Sequence, residues 1–196
     1  MHWGAPAPDI LRGLADLQVE SAHTRKLPPV ENWNPPFCGD LDIRIAVDGT
    51  WFYLGTPIGR PGLVRLFSTI LRREEDRQFY LVTPVEKVRI KVEDAPFLAV
   101  RVDRELGPDG PILRLTTNVG DIVDAGPEHR IRVEFNGARH EPRPYVHVRG
   151  NLEALISRAV FYELVDLSEE RMISTGEVEL SVLSGGERFA LGSLPA

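Results

Sequence analysis

The sequence predicts an α+β protein of two related subdomains, each an antiparallel sheet with one packed helix, and three observations carry that expectation. The first is a repeated pattern. Ile43-Arg44-Ile45-Ala46-Val47-Asp48-Gly49 and Ile131-Arg132-Val133-Glu134-Phe135-Asn136-Gly137 stand about ninety residues apart, as an internal duplication would place them. The second is a helical stripe after each copy. Arg60 precedes apolar residues at helical spacing, Leu63, Leu66, Phe67, Ile70 and Leu71, and Arg149 precedes Leu152, Leu155, Ile156, Ala159 and Val160. The third is a proline-dense stretch, Pro28, Pro29, Pro35 and Pro36, which neither helix nor central strand accepts. The expected division is an N-terminal helix and Pro/Trp arm over 1–38, a first repeat over 39–93 and a second over 94–196.

In chain order, Asp9 is a fitting cap for a short leading helix whose stripe is Ile10, Leu11, Leu14 and Leu17. The arm comes next, and Trp33 in its middle needs somewhere to bury its ring, so the arm is expected to lie against the body. Leu41, Ile43, Ile45 and Val47 alternate with Asp40, Asp42, Arg44 and Ala46, the pattern of a half-buried strand. Asp48-Gly49 suits a two-residue hairpin turn into the strand formers of residues 50–54. Pro61 opens a helix that runs into the charged residues 72–76. Residues 79–82, 85–92, 98–103, 112–117, 131–135 and 145–148 read as further strands, with residues 107–111 as a loop. Asn151 is read as the cap of a second helix reaching Leu164, with Glu153 near its positive end. Residues 176–190 read as a closing hairpin around Ser184-Gly185-Gly186.

Composition sets the exclusions. With 29 acidic against 23 basic residues and a net charge of −6, the chain repels a phosphate backbone, which argues against nucleic acid as the main partner. No apolar run approaches the roughly 20 residues that cross a bilayer, and residues 1–13 lack a signal peptide's basic start and apolar stretch. The expected compartment is the cytoplasm, without membrane insertion. The single cysteine, Cys38, forms no intrachain disulfide and is expected to be a small packing residue. His2, His23, His129, His140 and His147 stand at no zinc spacing, so no metal is expected. The sequence holds no nucleophile elbow, phosphate loop or dinucleotide fingerprint, and no cofactor is expected.

The candidate site residues are chiefly basic. Arg60 and Arg149 each precede an expected helix start, where unpaired NH groups and the dipole favour an anion and a guanidinium adds a bidentate grip. Ion pairing with the many carboxylates is the competing reading for both. Arg44 and Arg132 match on the polar faces of the paired hairpins and would line a seam between the repeats beside Asp40 and Asp42, or else form a solvated charge ladder. Asp40 and Asp42 could hold a cation or do acid–base work, but no calcium-type loop surrounds them. Trp33, Trp51 and Tyr53 could stack on a flat base or simply fill a core.

The runs PPVENWNPPFCGDLDIRIAVDGTWFYLGTPIGR and LVTPVEKVRI, with the later NLEAL, resemble the bacterial DUF1285 family, a domain of unknown function, over nearly the whole chain. The resemblance implies a two-part fold with duplicated motifs, a C-terminal half superficially like pleckstrin-homology domains, and a ligand site at the interface of the parts. It implies no reaction; a nucleotide-like ligand and a signalling role have been inferred for the family. Its pattern maps onto Trp33, Asn34, Gly39, Asp40, Arg44, Thr50, Trp51, Gly55, Arg60, Thr83, Glu86, Lys87, Asn151 and Glu153. The resulting expectation is a sensing protein whose anionic ligand meets Trp33, Asp40, Arg44, Thr50, Trp51, Arg60, Thr83, Glu86, Lys87, Arg149 and Asn151. The alternatives are a protein-interaction module using the arm or a sheet edge, and, last, an enzyme using Asp40, Glu86 or Lys87, since no nucleophile stands with a base.

Overall fold

In the later part of the first strand alternate side chains turn away from water, and Ile43 and Ile45 are buried while Asp42 is exposed. The computed structural model describes residues 27–108, 110–136, 141–173 and 176–195. The leading helix expected around Leu11 and Leu14 lies outside them, as does Gly137 of the second hairpin turn. The chain divides into two units, Met1–Glu93 and Asp94–Ala196.

In the first unit a 3-10 turn, Val30–Asn32, leads into β1 (Phe37–Ile45), β2 (Trp51–Tyr53) and β3 (Thr56–Pro57). Helix α1 (Pro61–Thr69) comes next, then β4 (Leu71–Arg73), β5 (Phe79–Val82) and β6 (Lys87–Val92). The six strands form one sheet in the order β3-β2-β1-β6-β5-β4. Its neighbours are antiparallel except the central pair, where β1 and β6 run parallel. Phe67 of α1 buries against Trp51, their rings stacked at 6.2 Å between centroids, and Ile70, Leu71, Leu81 and Val88 complete the core.

In the second unit β7 (Phe97–Gly107), β8 (Gly110–Thr117) and β9 (Ile122–Asp124) form one meander, and β10 (Ile131–Asn136), β11 (Glu141–Arg149) and β12 (Leu152–Ile156) another. They join as β10-β11-β12-β7-β8-β9, with β12 parallel to β7. Helix α2 (Arg158–Asp166) then packs on β7, and a small antiparallel sheet closes the unit: β13 (Glu169–Met172), β14 (Glu177–Ser184) and β15 (Glu187–Pro195). Phe97, Leu113, Leu115, Val146, Ala154 and Leu164 are its buried centre.

The two-unit, sheet-rich architecture agrees with the expectation, but the details differ in four ways. Each large sheet is mixed rather than antiparallel, because its first and last strands pair in parallel. The duplication is shifted: the two sheets share one strand order, so β1 corresponds to β7, about sixty residues on, and not to Ile131–Asn136 in β10. The helix stands after the third strand in the first unit and after the sixth in the second. Residues 152–156 form β12 rather than a helix, because Leu152, Ala154 and Ile156 turn inward while Glu153 and Leu155 do not. Asn151 accordingly lies in the β11–β12 turn after Gly150 (φ 50°), and the true cap of α2 is Ser157, whose hydroxyl accepts the Val160 N–H at 3.4 Å.

Smaller differences have local causes. The β1–β2 connection spans five residues, closed by Ala46 N–H to Thr50 O at 2.9 Å, with Gly49 at φ 80°. α1 stops at Thr69, and Leu71–Arg73 forms β4 against β5 instead of a final helical turn. Within the stretch read as a loop, Gly107 ends β7 and Gly110 opens β8, the two pairing across the hairpin. Cys38 is exposed, its thiol 3.5 Å from Pro36 O, and fills no core. The closing hairpin is as expected, with Gly185 and Gly186 at φ 57° and 76° in its two-residue turn.

Candidate functional site

A cavity of about 350 Å³ opens between the β1–β2 face and the start of α1, walled by Leu41, Ile43, Ile58, Leu63, Phe67 and the exposed Arg60. Its shape comes from the local fold. Ile58 N–H binds Trp51 O at 2.8 Å, which draws the chain after β3 back over β2, and Pro61 then opens α1. One turn apart on that helix, Leu63 and Phe67 present the same face to the strands.

Arg60 occupies an uncommon place. It is the N-cap of α1, extended at φ −107° and ψ 101°, and its carbonyl accepts Leu63 N–H at 3.0 Å and Val64 N–H at 3.2 Å. Serine, threonine or aspartate is the usual choice there, and a cation at the positive helix end is electrostatically adverse. No side chain caps this end, and no acidic residue stands in the first turn. Arg60 forms no ion pair among the described residues.

The other matched cations are committed. Arg44 binds Glu93 at 2.6 Å and lies 4.0 Å over the Phe52 ring. Arg132 grips both Glu153 oxygens at 2.7 and 2.6 Å and also meets Glu134, which raises its pKa. Arg149 ends a strand rather than starting a helix; it pairs with Asp121 at 2.6 Å and lies 4.8 Å over Phe97. Asp40 takes a bidentate grip from Arg89, at 2.7 and 2.9 Å, and that hydrogen bonding holds its carboxyl below the usual range. A shallow depression of about 670 Å³ beside it is lined by Asp40, Asp42, Arg44, Arg77, Arg89 and Lys91, and two of its four cations are held by carboxylates, Arg89 by Asp40 and Arg44 by Glu93.

The remaining candidates separate. Trp51 is 2% exposed and belongs to the core behind the cavity wall. Thr50 closes a turn, its N–H on Asp48 Oδ1 at 2.9 Å. Thr83 is buried, and its hydroxyl accepts Glu86 N–H at 3.2 Å to shape the β5–β6 turn. Trp33 and Lys87 meet in a second cluster, which sequence reasoning misses because its centre, Arg72, stands in a run that reads as solvated charge. Arg72 is 8% exposed; its Nη1 donates to Val30 O at 2.8 Å and Trp33 O at 2.7 Å, and its Nη2 binds Glu74. Lys87 Nζ reaches both Glu74 oxygens, at 3.0 and 2.9 Å. This cluster fastens the Pro/Trp arm to the sheet, in keeping with the need to cover Trp33. Arg60, among the eleven candidates, borders the cavity; Arg149 and Asn151 belong to the second unit.

The arm cluster makes the first unit acid-sensitive. Burial alone would push the Glu74 carboxyl up, but hydrogen bonds from Lys87 and Arg72 outweigh it and hold the pKa below the ordinary value. A carboxyl depressed on folding stabilises fully above its unfolded value, about 4.5, and that contribution is lost as pH falls through the lower folded value. Melting temperature followed from about pH 6 down to about pH 3 is therefore expected to fall more gently in Glu74→Gln than in the wild type. Parallel curves would remove Glu74 from this role.

Fold and site together define a protein of two like six-stranded mixed sheets, with an apolar cavity in the first and, at its mouth, an arginine that forms no ion pair among the described residues. Models of the DUF1285 N-terminal domain, a domain of unknown function, and of the DUF1285 C-terminal domain match residues 28–95 and 96–191, and the chain belongs to the DUF1285 family. It is similar to the crystal structure of a DUF1285 family protein from Silicibacter pomeroyi DSS-3, at 52% identity and TM-score 0.78, over 90% of this chain and 94% of that one. A DUF1285 family protein from Shewanella baltica OS155 is 30% identical at TM-score 0.51, over 64% of this chain and 91% of that one. No curated protein matches the chain. Among the described residues no helix is long and apolar enough to cross a membrane.

Proposed function

We propose that this protein is a cytoplasmic ligand-binding protein of the sensing type, which holds a small anionic molecule in the cavity of its first unit, with Arg60 as the charged contact. The observation that carries this reading is the contrast among the arginines. Arg44, Arg132 and Arg149 have carboxylate partners, whereas Arg60 stands at a cavity mouth with none among the described residues. A guanidinium so placed offers a bidentate hydrogen bond to a carboxylate or phosphate. The second unit, six strands followed by α2, is carried in the same reading as the pleckstrin-homology-like half, by analogy of fold. The interaction-module alternative through the arm is less supported, because Arg72 already occupies the arm's Val30 and Trp33 carbonyls.

Thermal shift of the wild type and Arg60→Ala against a panel of nucleotides and organic acids tests the reading. At least one anion is expected to raise the wild-type melting temperature by several degrees, and the variant should lose that rise. No response to any anion, or an equal response in both proteins, would refute it.

A further inference from the structure

We infer that the ligand is an amphipathic monocarboxylate, a short acyl chain or single ring with one carboxylate, its body within the cavity and its head on Arg60. The inference rests on the reading above and narrows it. Leu41, Ile43, Ile58, Leu63 and Phe67 make the wall apolar, and Arg60 is its single formal charge. The other polar side-chain groups in the wall are the hydroxyls of Tyr53 and Thr56.

That chemistry discriminates between classes of anion. A hydrocarbon body gains by leaving water for such a wall, in proportion to the apolar area covered. A nucleotide's base and sugar would give up several hydrogen bonds to water with two hydroxyls to replace them, a loss that falls on each unsatisfied group. A chain of phosphates would also ask for more than one cation, whereas a single carboxylate matches a single fork. Size agrees: about 350 Å³ is roughly twice a cavity that takes benzene, and near the small end of ligand sites.

The turn between Tyr53 and Thr56 adds an independent sign. Leu54 sits at φ 48° and is 64% exposed, in a position where asparagine or glycine is at ease and leucine is strained. A bulky apolar side chain there works against both the turn and its own hydration, in the two-residue turn that joins the wall residues Tyr53 and Thr56.

Isothermal titration of the full chain with octanoate, 1-octanol and AMP tests the inference. Octanoate is expected to bind more tightly than octanol, and Arg60→Ala to weaken octanoate at least tenfold while leaving octanol nearly unchanged. Leu54→Asn is expected to melt higher than the wild type when free, because the turn is relieved, and yet to bind octanoate a few-fold more weakly. AMP binding that Arg60→Ala abolishes, without octanoate binding, would overturn the amphipathic ligand and leave the anion site standing. Octanoate affinity untouched by Leu54→Asn would count against an apolar body reaching that turn. Silence from both anions, or equal binding in wild type and Arg60→Ala, would overturn this inference and the site together.

Discussion

Arg72→Met is expected to destabilise the first unit by about 3–5 kcal/mol, the size of loss found when one member of a buried charged network is removed. The methionine keeps much of the apolar stem but none of the donors. The Val30 and Trp33 carbonyls lose the bonds at 2.8 and 2.7 Å, and Glu74 keeps Lys87 as its remaining cation. Buried acceptors left empty carry their own desolvation penalty, so the loss exceeds that of a surface ion pair. Hydrogen exchange followed by mass spectrometry gives the readout: protection should fall in residues 28–92, most of all around Val30 and Trp33. A variant as stable as the wild type, with an unaltered arm, would show that the arm holds by its prolines and Trp33 alone.

The second large effect is expected in the other unit. Gly185→Ala should cost about 2–4 kcal/mol, combining the left-handed backbone penalty with damage to a buried polar junction. A Cβ at Gly185 would stand 2.9 Å from Ala125 O, the atom that accepts the Ser184 hydroxyl at 2.7 Å. Ser184 in turn accepts Leu113 N–H at 2.8 Å, and Gly185 N–H binds Pro111 O at 3.0 Å, so this turn joins the small sheet to β8. Gly186→Ala is the internal control. Gly186 shares the left-handed conformation at φ 76° but has open space around it, and its variant should lose only the backbone share. Equal losses in the two variants, measured by denaturant unfolding, would show that the Ala125 contact relaxes freely.

Local pattern is readable where a single period governs. Alternation places Ile43 and Ile45 inward, Pro61 marks the start of α1, and Gly185-Gly186 marks the final turn. It fails where two periods overlap. Leu152, Leu155, Ile156, Ala159 and Val160 fit a helix, yet Leu152, Ala154 and Ile156 fit a strand equally well, and the change of period falls at Ser157. Gly150-Asn151 is the available hairpin signal, and reading Asn151 as a cap conceals it. The same error puts Arg149 at a helix start, so the apparent symmetry of Arg60 and Arg149 dissolves in the structure. The shifted duplication is hidden for a different reason: parallel pairing of β1 with β6 and β7 with β12 joins segments far apart in sequence, and no local period records it. Arg72 escapes notice because burial of a charge depends on what the arm covers, which its neighbours in sequence do not state.

Because the first and last strands of each sheet are hydrogen-bonded to one another at its centre, neither sheet closes early in synthesis. The nascent chain carries two separate meanders until Val92 has left the ribosome, and again until Ile156 has. Contacts of such long sequence separation make for slow closure, so translation paused shortly before either residue would leave an unpaired central edge awaiting its partner.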